Sequence, residues 1–489
     1  MVRHQTRNEI GRPAAVLTWL VDHFQIWLAR SWLVATLAAA LIALWIALAD
    51  AAPSIVVVPA LAFLATFGIS RTLDPNDRAV ALGLFAWAAV ARLLVVLALS
   101  LVSTDFVVGG LLSPDGAGYL NGGRALVQSG FDVGPPFTFF GTYDIGQYYV
   151  FAGVIRIFGP PFVALAVFNA AIGALAAPVA FAWARLTVPK HAVLVGGVAA
   201  LSPSLALLST TNLLKDPLVI LATLVVAWSV ARALRSEQDH GKFLPWLVLA
   251  ALALAVLHMT RFYVAAYLEL GLIAAVVVRL IRRRSNPRWR FRFVGLAALI
   301  VVSELVSSAA GWPNSAAILS SQVQHVMATP AIQPALEQNQ EGRRGPGLVT
   351  AVDVARRALG PYVWVPPAST DTRYLVLADF DLYADTVLWY LILPFLLAGL
   401  VMSLASLWRD GDESIGLGYL AVFVCVYLAQ YLAINLSYRQ REDILLVALA
   451  FVPAGARWMT SRPIRQALYA GYWVLLLTLA VVQVLRSRG

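Results

Sequence analysis

The sequence predicts an all-α fold, a polytopic transmembrane helix bundle, and three observations predict it: recurrent apolar runs, few charges, and basic residues gathered in short connections. Of the 489 residues, 60% are hydrophobic and 13% charged, against about 25% charged in an ordinary soluble domain. A hydrocarbon slab about 30 Å thick needs roughly 20 apolar helical residues per crossing. The runs Ser31 to Ala49, Phe162 to Ala184 and Thr386 to Leu407 meet that length, and about 13 such runs, some shorter, follow one another along the chain. The formal net charge of +10 sits in short loops beside these runs, where it sets topology, so nucleic acid is excluded as a partner.

Cys425, the single cysteine, lies within an apolar run, which rules out an intramolecular disulfide and a thiolate metal site. The opening stretch has no short apolar core with a small-residue cleavage site; it mixes Arg3, Arg7 and Arg12 with Trp19 and Trp27 and reads as a cytoplasmic interfacial helix.

Basic loops close to spans stay in the cytoplasm. Placing Arg282, Arg283, Arg284, Arg288, Arg290 and Arg292 inside, with Arg71 and Arg78, Arg185 and Lys190, Arg232, Arg235 and Lys242, and Arg457, Arg462 and Arg465, gives one alternating topology. Residues 104–161, about 209–216, 259–261, 312–384 and 435–443 then face outward. Gln147 to Phe158 is short, carries Arg156 and runs into Gly159-Pro160-Pro161, so it is expected as a juxtamembrane helix on the outer face. Four regions follow: 1–77, an interfacial helix and two extra spans; 78–311, a core with the outer loop 104–161; 312–384, a long extracytoplasmic loop; and 385–489, the C-terminal spans.

The first outer loop reads Ser113-Pro114-Asp115-Gly116-Ala117-Gly118-Tyr119, with Arg124 a little further on. An acidic residue followed by an aromatic one and a small-residue helix resembles the first outer loop of the GT-C class of glycosyltransferases, in the bacterial branch related to protein mannosyltransferases and lipid A aminoarabinose transferases. The likeness extends from about Arg78 to Pro453. Tyr143-Asp144-Ile145-Gly146-Gln147-Tyr148-Tyr149 is similar to the juxtamembrane segment of that class, without its usual Lys-Pro-Pro. Lys215-Asp216-Pro217 resembles its second acidic site; His258-Met259-Thr260-Arg261-Phe262-Tyr263 and Tyr438-Arg439-Gln440-Arg441 resemble its later arginine positions.

The resemblance implies a membrane enzyme of the bacterial plasma membrane that moves a sugar, with inversion, from a polyprenyl-phosphate donor such as undecaprenyl phosphate to an extracytoplasmic acceptor. Such a transfer needs a base for the acceptor hydroxyl and cations for the departing phosphate. Asp115 takes the first role, and Arg261, Arg439 and Arg441 the second, because a guanidinium matches phosphate oxygens with a planar fork. Tyr119, Arg124, Tyr143, Asp144, Lys215, His258 and Tyr263 complete the expected donor and acceptor contacts. Asp216 is left with three partners: a sugar hydroxyl, a divalent cation or Lys215. The 312–384 loop, with Arg343, Arg344, Arg356 and Arg357, is expected to cover the site.

Simpler roles stand beside these. Asp115 and Asp216 fit turn or helix-capping positions, the latter ahead of Pro217. Arg261 fits a snorkelling cation, and Arg439 and Arg441 fit a solvated rim with Glu442 and Asp443. His258 reads as a packed histidine, and Arg92, Glu269 and Glu304 as polar groups between helices or at the membrane edge. Tyr362, Trp364, Trp389 and Tyr390 fit either a ligand pocket or an interfacial aromatic belt. Two other functions share the architecture: a polymerase or ligase acting on lipid diphosphate-linked glycans, which does not need Asp115, and a transporter or flippase, for which broken helices and charges near the bilayer midplane are expected.

Overall fold

A computed structural model describes residues 11–49, 52–101, 114–131, 145–159, 161–210, 213–235, 240–282, 287–309, 320, 375–409, 415–434 and 441–487. Among them there is no strand. The helices are α1 (Gly11–Ala49), α2 (Val57–Arg71), α3 (Pro75–Ser100), α4 (Pro114–Gln128), α5 (Gly146–Phe158), α6 (Pro161–Thr187), α7 (Ala192–Leu201), α8 (Pro203–Thr210), α9 (Asp216–Arg235), α10 (His240–Arg282), α11 (Pro287–Ala309), α12 (Leu375–Arg409), α13 (Ile415–Ile434), α14 (Glu442–Ala448), α15 (Val452–Thr460) and α16 (Pro463–Ser487).

Seven of these helices are long and apolar enough to cross a membrane, or eight if α14 and α15, inclined at 58°, form one crossing. Helices dominate because an unpaired backbone amide costs several kcal/mol in hydrocarbon and an α-helix pairs its own. Bulky apolar side chains remain uncovered along α1, α11, α12 and α16, among them Leu41, Val301, Val401 and Leu477, a surface suited to lipid and not to water. The opening segment differs from the expected separate interfacial helix, since α1 runs unbroken from Gly11 through the span to Ala49. No proline or glycine interrupts Ala14 to Ala49, and the apolar content carries the helix through.

Helix α10 is two arms. Arg261 has φ −153° and ψ 73°, outside helical geometry, and the arms fold back there. At ~1.5 Å per residue, a straight helix would hold Phe243 and Arg282 nearly 60 Å apart. Yet Gly295 of α11, only 13 residues beyond Arg282, lies so close to Phe243 that a methyl group on it would stand 2.5 Å from the ring. The chain from Arg282 to Gly295 can span at most ~30 Å, so the arms must meet at less than about a right angle. This turn coincides with the expected outer connection at 259–261.

Neighbouring contacts sort the residues to two ends. Asp77 at the start of α3 pairs with Arg185 at the end of α6 at 2.7 Å. Arg232 near the end of α9 donates to the Thr72 carbonyl, and Trp228 packs on Trp246 at 5.0 Å. These residues and the Lys190–His191 turn form a basic end. Arg261 meets Asp216 of α9, the start of the helix whose other terminus carries Arg232, so this second end gathers the turn of α10, the start of α9 and the start of α14. The short helices α4 and α5 pack on each other there through Tyr119 and Tyr148, with ring centroids 5.2 Å apart. Gly146, at the start of α5, lies against Met259. At 13 residues, α5 is ~20 Å long and too short to cross.

Two close approaches set the tightest packing. A Cβ on Gly399 of α12 would meet the Phe451 carbonyl oxygen at 2.0 Å, and one on Gly455 of α15 would meet that of Phe395 at 1.8 Å. Small residues at such crossings are how helices associate where burial from water supplies no force.

Between α7 and α8 the chain breaks at Ser202-Pro203. Pro203 has no N–H, so the helical bond to the Ala199 carbonyl is missing. Arg92 of α3 fills the gap: its guanidinium donates to the carbonyls of Ala199 at 3.0 Å, Ala200 at 2.8 Å and Ala88 at 3.2 Å. A buried cation with no carboxylate partner among the described residues is thus held by the negative end of a helix. Arg92→Met leaves the Ala199 and Ala200 carbonyls at the break unsatisfied, at about 1–3 kcal/mol each. The melting temperature in detergent is expected to drop sharply in that variant and to recover in part when Pro203→Ala returns an N–H to Ala199.

A buried charge cluster as candidate functional site

The cluster is built from three chain segments. Ahead of α9, Leu213 takes a left-handed φ of 49°, a strained conformation for a branched residue. The Asn169 amide of α6 donates to the Leu214 carbonyl at 3.0 Å and pins this bend. Lys215 and Asp216 are thereby turned inward, 5% and 0% exposed. The α10 turn contributes Arg261, 1% exposed, and α14 contributes Arg441, Glu442 and Asp443.

Arg261 is the centre. One arm of its guanidinium lies 2.7 Å from the Asp216 carboxylate, and the other donates to Asp443. Asp443 also accepts a 2.8 Å bond from the Tyr427 hydroxyl. Tyr263 and Tyr267 of α10 pack against the Tyr427 ring, with centroids 6.2 and 6.3 Å away. Three basic residues, Lys215, Arg261 and Arg441, and three acidic ones, Asp216, Glu442 and Asp443, are thus all buried at this end. A buried guanidinium and its two carboxylates persist because they offset one another at close range.

Lys215 stands 5.8 Å from the centre of the Tyr119 ring. Tyr119 belongs to α4, and Asp115 occupies the first turn of that helix, one turn ahead. The Asp115 side chain lies outside the described atoms, as do Tyr143, Asp144 and Arg439 altogether, and with them Tyr362 and Trp364. Arg124 is half-buried further along α4. Arg441 donates to the Thr386 hydroxyl at 3.2 Å, with its guanidinium 5.4 Å above the Trp389 ring.

Three sequence expectations change. Glu442 and Asp443 are no solvated rim; both are buried, and Asp443 reaches across to Arg261. Arg261 is no snorkelling cation, since its fork is taken up by two carboxylates. Among the three partners open to Asp216, none was Arg261, which is the one the structure supplies. His258 and Glu269 lie 3.1 Å apart, both buried, and so bridge the two arms of α10. Among the described residues no group of three or more His, Cys, Asp or Glu is placed to hold a metal.

Sequence reasoning passed over Gln147. It is fully buried in the first turn of α5, and neither its amide oxygen nor its nitrogen has a partner. Only its place in the Tyr143–Tyr149 motif marked it. An amide so placed can hydrogen-bond a hydroxyl brought in from outside.

Arg261→Met would leave Asp216 and Asp443 facing each other uncompensated, at a cost of about 3–5 kcal/mol. Asp443→Asn keeps the pair with Asp216 and is expected to cost less. Melting temperatures in detergent should therefore rank wild type, Asp443→Asn, then Arg261→Met. No protein-family model, no curated protein and no solved structure matches this chain.

Proposed function

We propose that the chain is a GT-C type glycosyltransferase that moves a sugar from a polyprenyl-phosphate donor to a glycan, lipid or protein acceptor at the extracytoplasmic face of a bacterial plasma membrane. The observation that supports it is convergence: α4, which carries Asp115, packs through Tyr119 against Lys215, beside Asp216 and Arg261. Residues about a hundred positions apart thus meet at the end of the bundle away from the basic turns. Under the positive-inside rule that end faces outward. Counting both arms of α10, the α7–α8 pair, the α14–α15 pair, the shorter helices α11 and α13, and α16 as crossings beside the other six long apolar helices gives the 13 spans of this reading.

In the reaction, the Asp115 carboxylate takes the proton of an acceptor hydroxyl. The hydroxyl oxygen attacks the anomeric carbon, and the bond from that carbon to the phosphate oxygen breaks with inversion. The lipid phosphate leaves with the electron pair, and its growing charge is met by Lys215, Arg439 and Arg441. Arg261 has a different part from the one expected of it. Held between two carboxylates, it is a positioning residue that keeps the Lys215–Asp216 bend beside the α10 turn.

A transporter is the second reading, favoured by the broken α7–α8 pair with Arg92 at its break. Proteoliposomes given a labelled polyprenyl-phosphate sugar and a soluble acceptor extract separate the two. Label covalently joined to acceptor, abolished by Asp115→Asn with protein level and donor binding retained, is the expected result. Full transfer by that variant removes Asp115 as base, and label that crosses the bilayer still attached to its donor favours transport.

A further inference from the structure

Between α1, the α7–α8 break and α12 lies a cavity of about 370 Å³. Phe24, Leu194, Leu201 and Leu388 form apolar walls, with Ser202 at the break. Leu194 and Leu201 are 36% and 42% exposed, so the cavity opens on the lipid-facing side of the bundle. Its volume admits about a dozen groups of ~30 Å³, the size of a water molecule or a methylene. Water is a poor occupant, since it needs two to four polar partners and, among the described lining residues, Ser202 alone has a polar side chain. A hydrocarbon chain fits both size and lining.

The cavity mouth identifies the rest of the ligand. Leu194 stands one helical turn beyond the Pro189–His191 turn of the basic end. Lys190 is exposed there. Burial first, and then the charges of Arg457 and Lys190, hold the His191 pKa below its usual value, which places Arg457 in the same positive field. Nearby Arg185 is neutralised by Asp77, and on α1 the exposed Asp22 is offset by exposed Arg30. Trp19, 55% exposed and just over one turn before Phe24, suits an interfacial position. Lys190 and Arg457 remain as cations at the depth of a lipid headgroup.

We infer that this cavity holds one acyl chain of an anionic phospholipid from the leaflet at the basic end, with the lipid phosphate facing Lys190 and Arg457. The inference rests on the membrane fold alone and stands apart from sugar transfer. It gives α1, which precedes the glycosyltransferase-like part of the chain, a role as one wall of a lipid site.

Native mass spectrometry of the purified full-length protein tests it, with dioleoyl phosphatidylglycerol and dioleoyl phosphatidylcholine added in equal amounts. Each cation near a headgroup favours the anionic lipid by about fivefold, so the wild type is expected to retain phosphatidylglycerol well above phosphatidylcholine. Lys190→Glu with Arg457→Glu should bring the ratio to one or below. Gly197→Phe should expel the chain, since a Cβ at Gly197 already stands 3.0 Å from the Phe24 ring and the added ring fills the cavity. Circular dichroism checks its helix content, and Leu201→Trp at the mouth replaces it if folding fails. Equal retention of the two lipids by the wild type, or unchanged phosphatidylglycerol retention in a folded cavity-filling variant, overturns the inference.

Discussion

The double ion pair of Arg261 holds together what the rest of this end of the bundle depends on. A guanidinium is the one side chain that can satisfy two carboxylates at once in a fixed plane, and here it sits at the turn where α10 reverses. Through Asp216 it fixes the start of α9, and through Asp443 the start of α14. Three helices distant in sequence are therefore clamped at one end of the bundle. In the membrane such a clamp has more force than at a water-exposed surface, because each charge left alone there would be costly.

A second polar solution sits deeper. Arg92 is held by freed carbonyls and not by an acid, because Pro203 has broken the helix beside it. One rule covers both sites: each polar group within the bilayer must find its partner inside the protein. The rule also accounts for the difference between them. The Arg261 site joins loops and helix starts, where carboxylates are available, whereas the Arg92 site lies among apolar spans that offer only backbone.

Much of the fold was legible from the chain because the signals are long and repeated. Apolar runs of bilayer length anticipate the seven or eight helices long and apolar enough to cross a membrane, and the interruption His258-Met259-Thr260-Arg261 marks the reversal in α10. The short α5 was legible from its length and from Gly159-Pro160-Pro161 at its end. The partner choices were not. Arg439, Arg441, Glu442 and Asp443 look self-complementary in sequence, so the pairing of Asp443 with Arg261, 182 residues away, has no local signal. The left-handed bend at Leu213 depends on the bond from Asn169, and the unpartnered amide of Gln147 on its burial in the folded chain, neither of which a local pattern encodes. The continuity of α1 was missed because arginines near the start outweighed the absence of any helix breaker further on.

The central claim is that α4 and the charge cluster share one membrane face, external, while the Lys190 turn occupies the other. Exposed residues on each side allow a direct test. With Cys425→Ala as background, Asn121→Cys on α4 and Lys190→Cys at the basic end are each treated in intact cells with a membrane-impermeant maleimide. The account predicts that position 121 is labelled at once and position 190 only after the membrane is opened. Labelling of both from the same side, or of position 190 alone in intact cells, would contradict it.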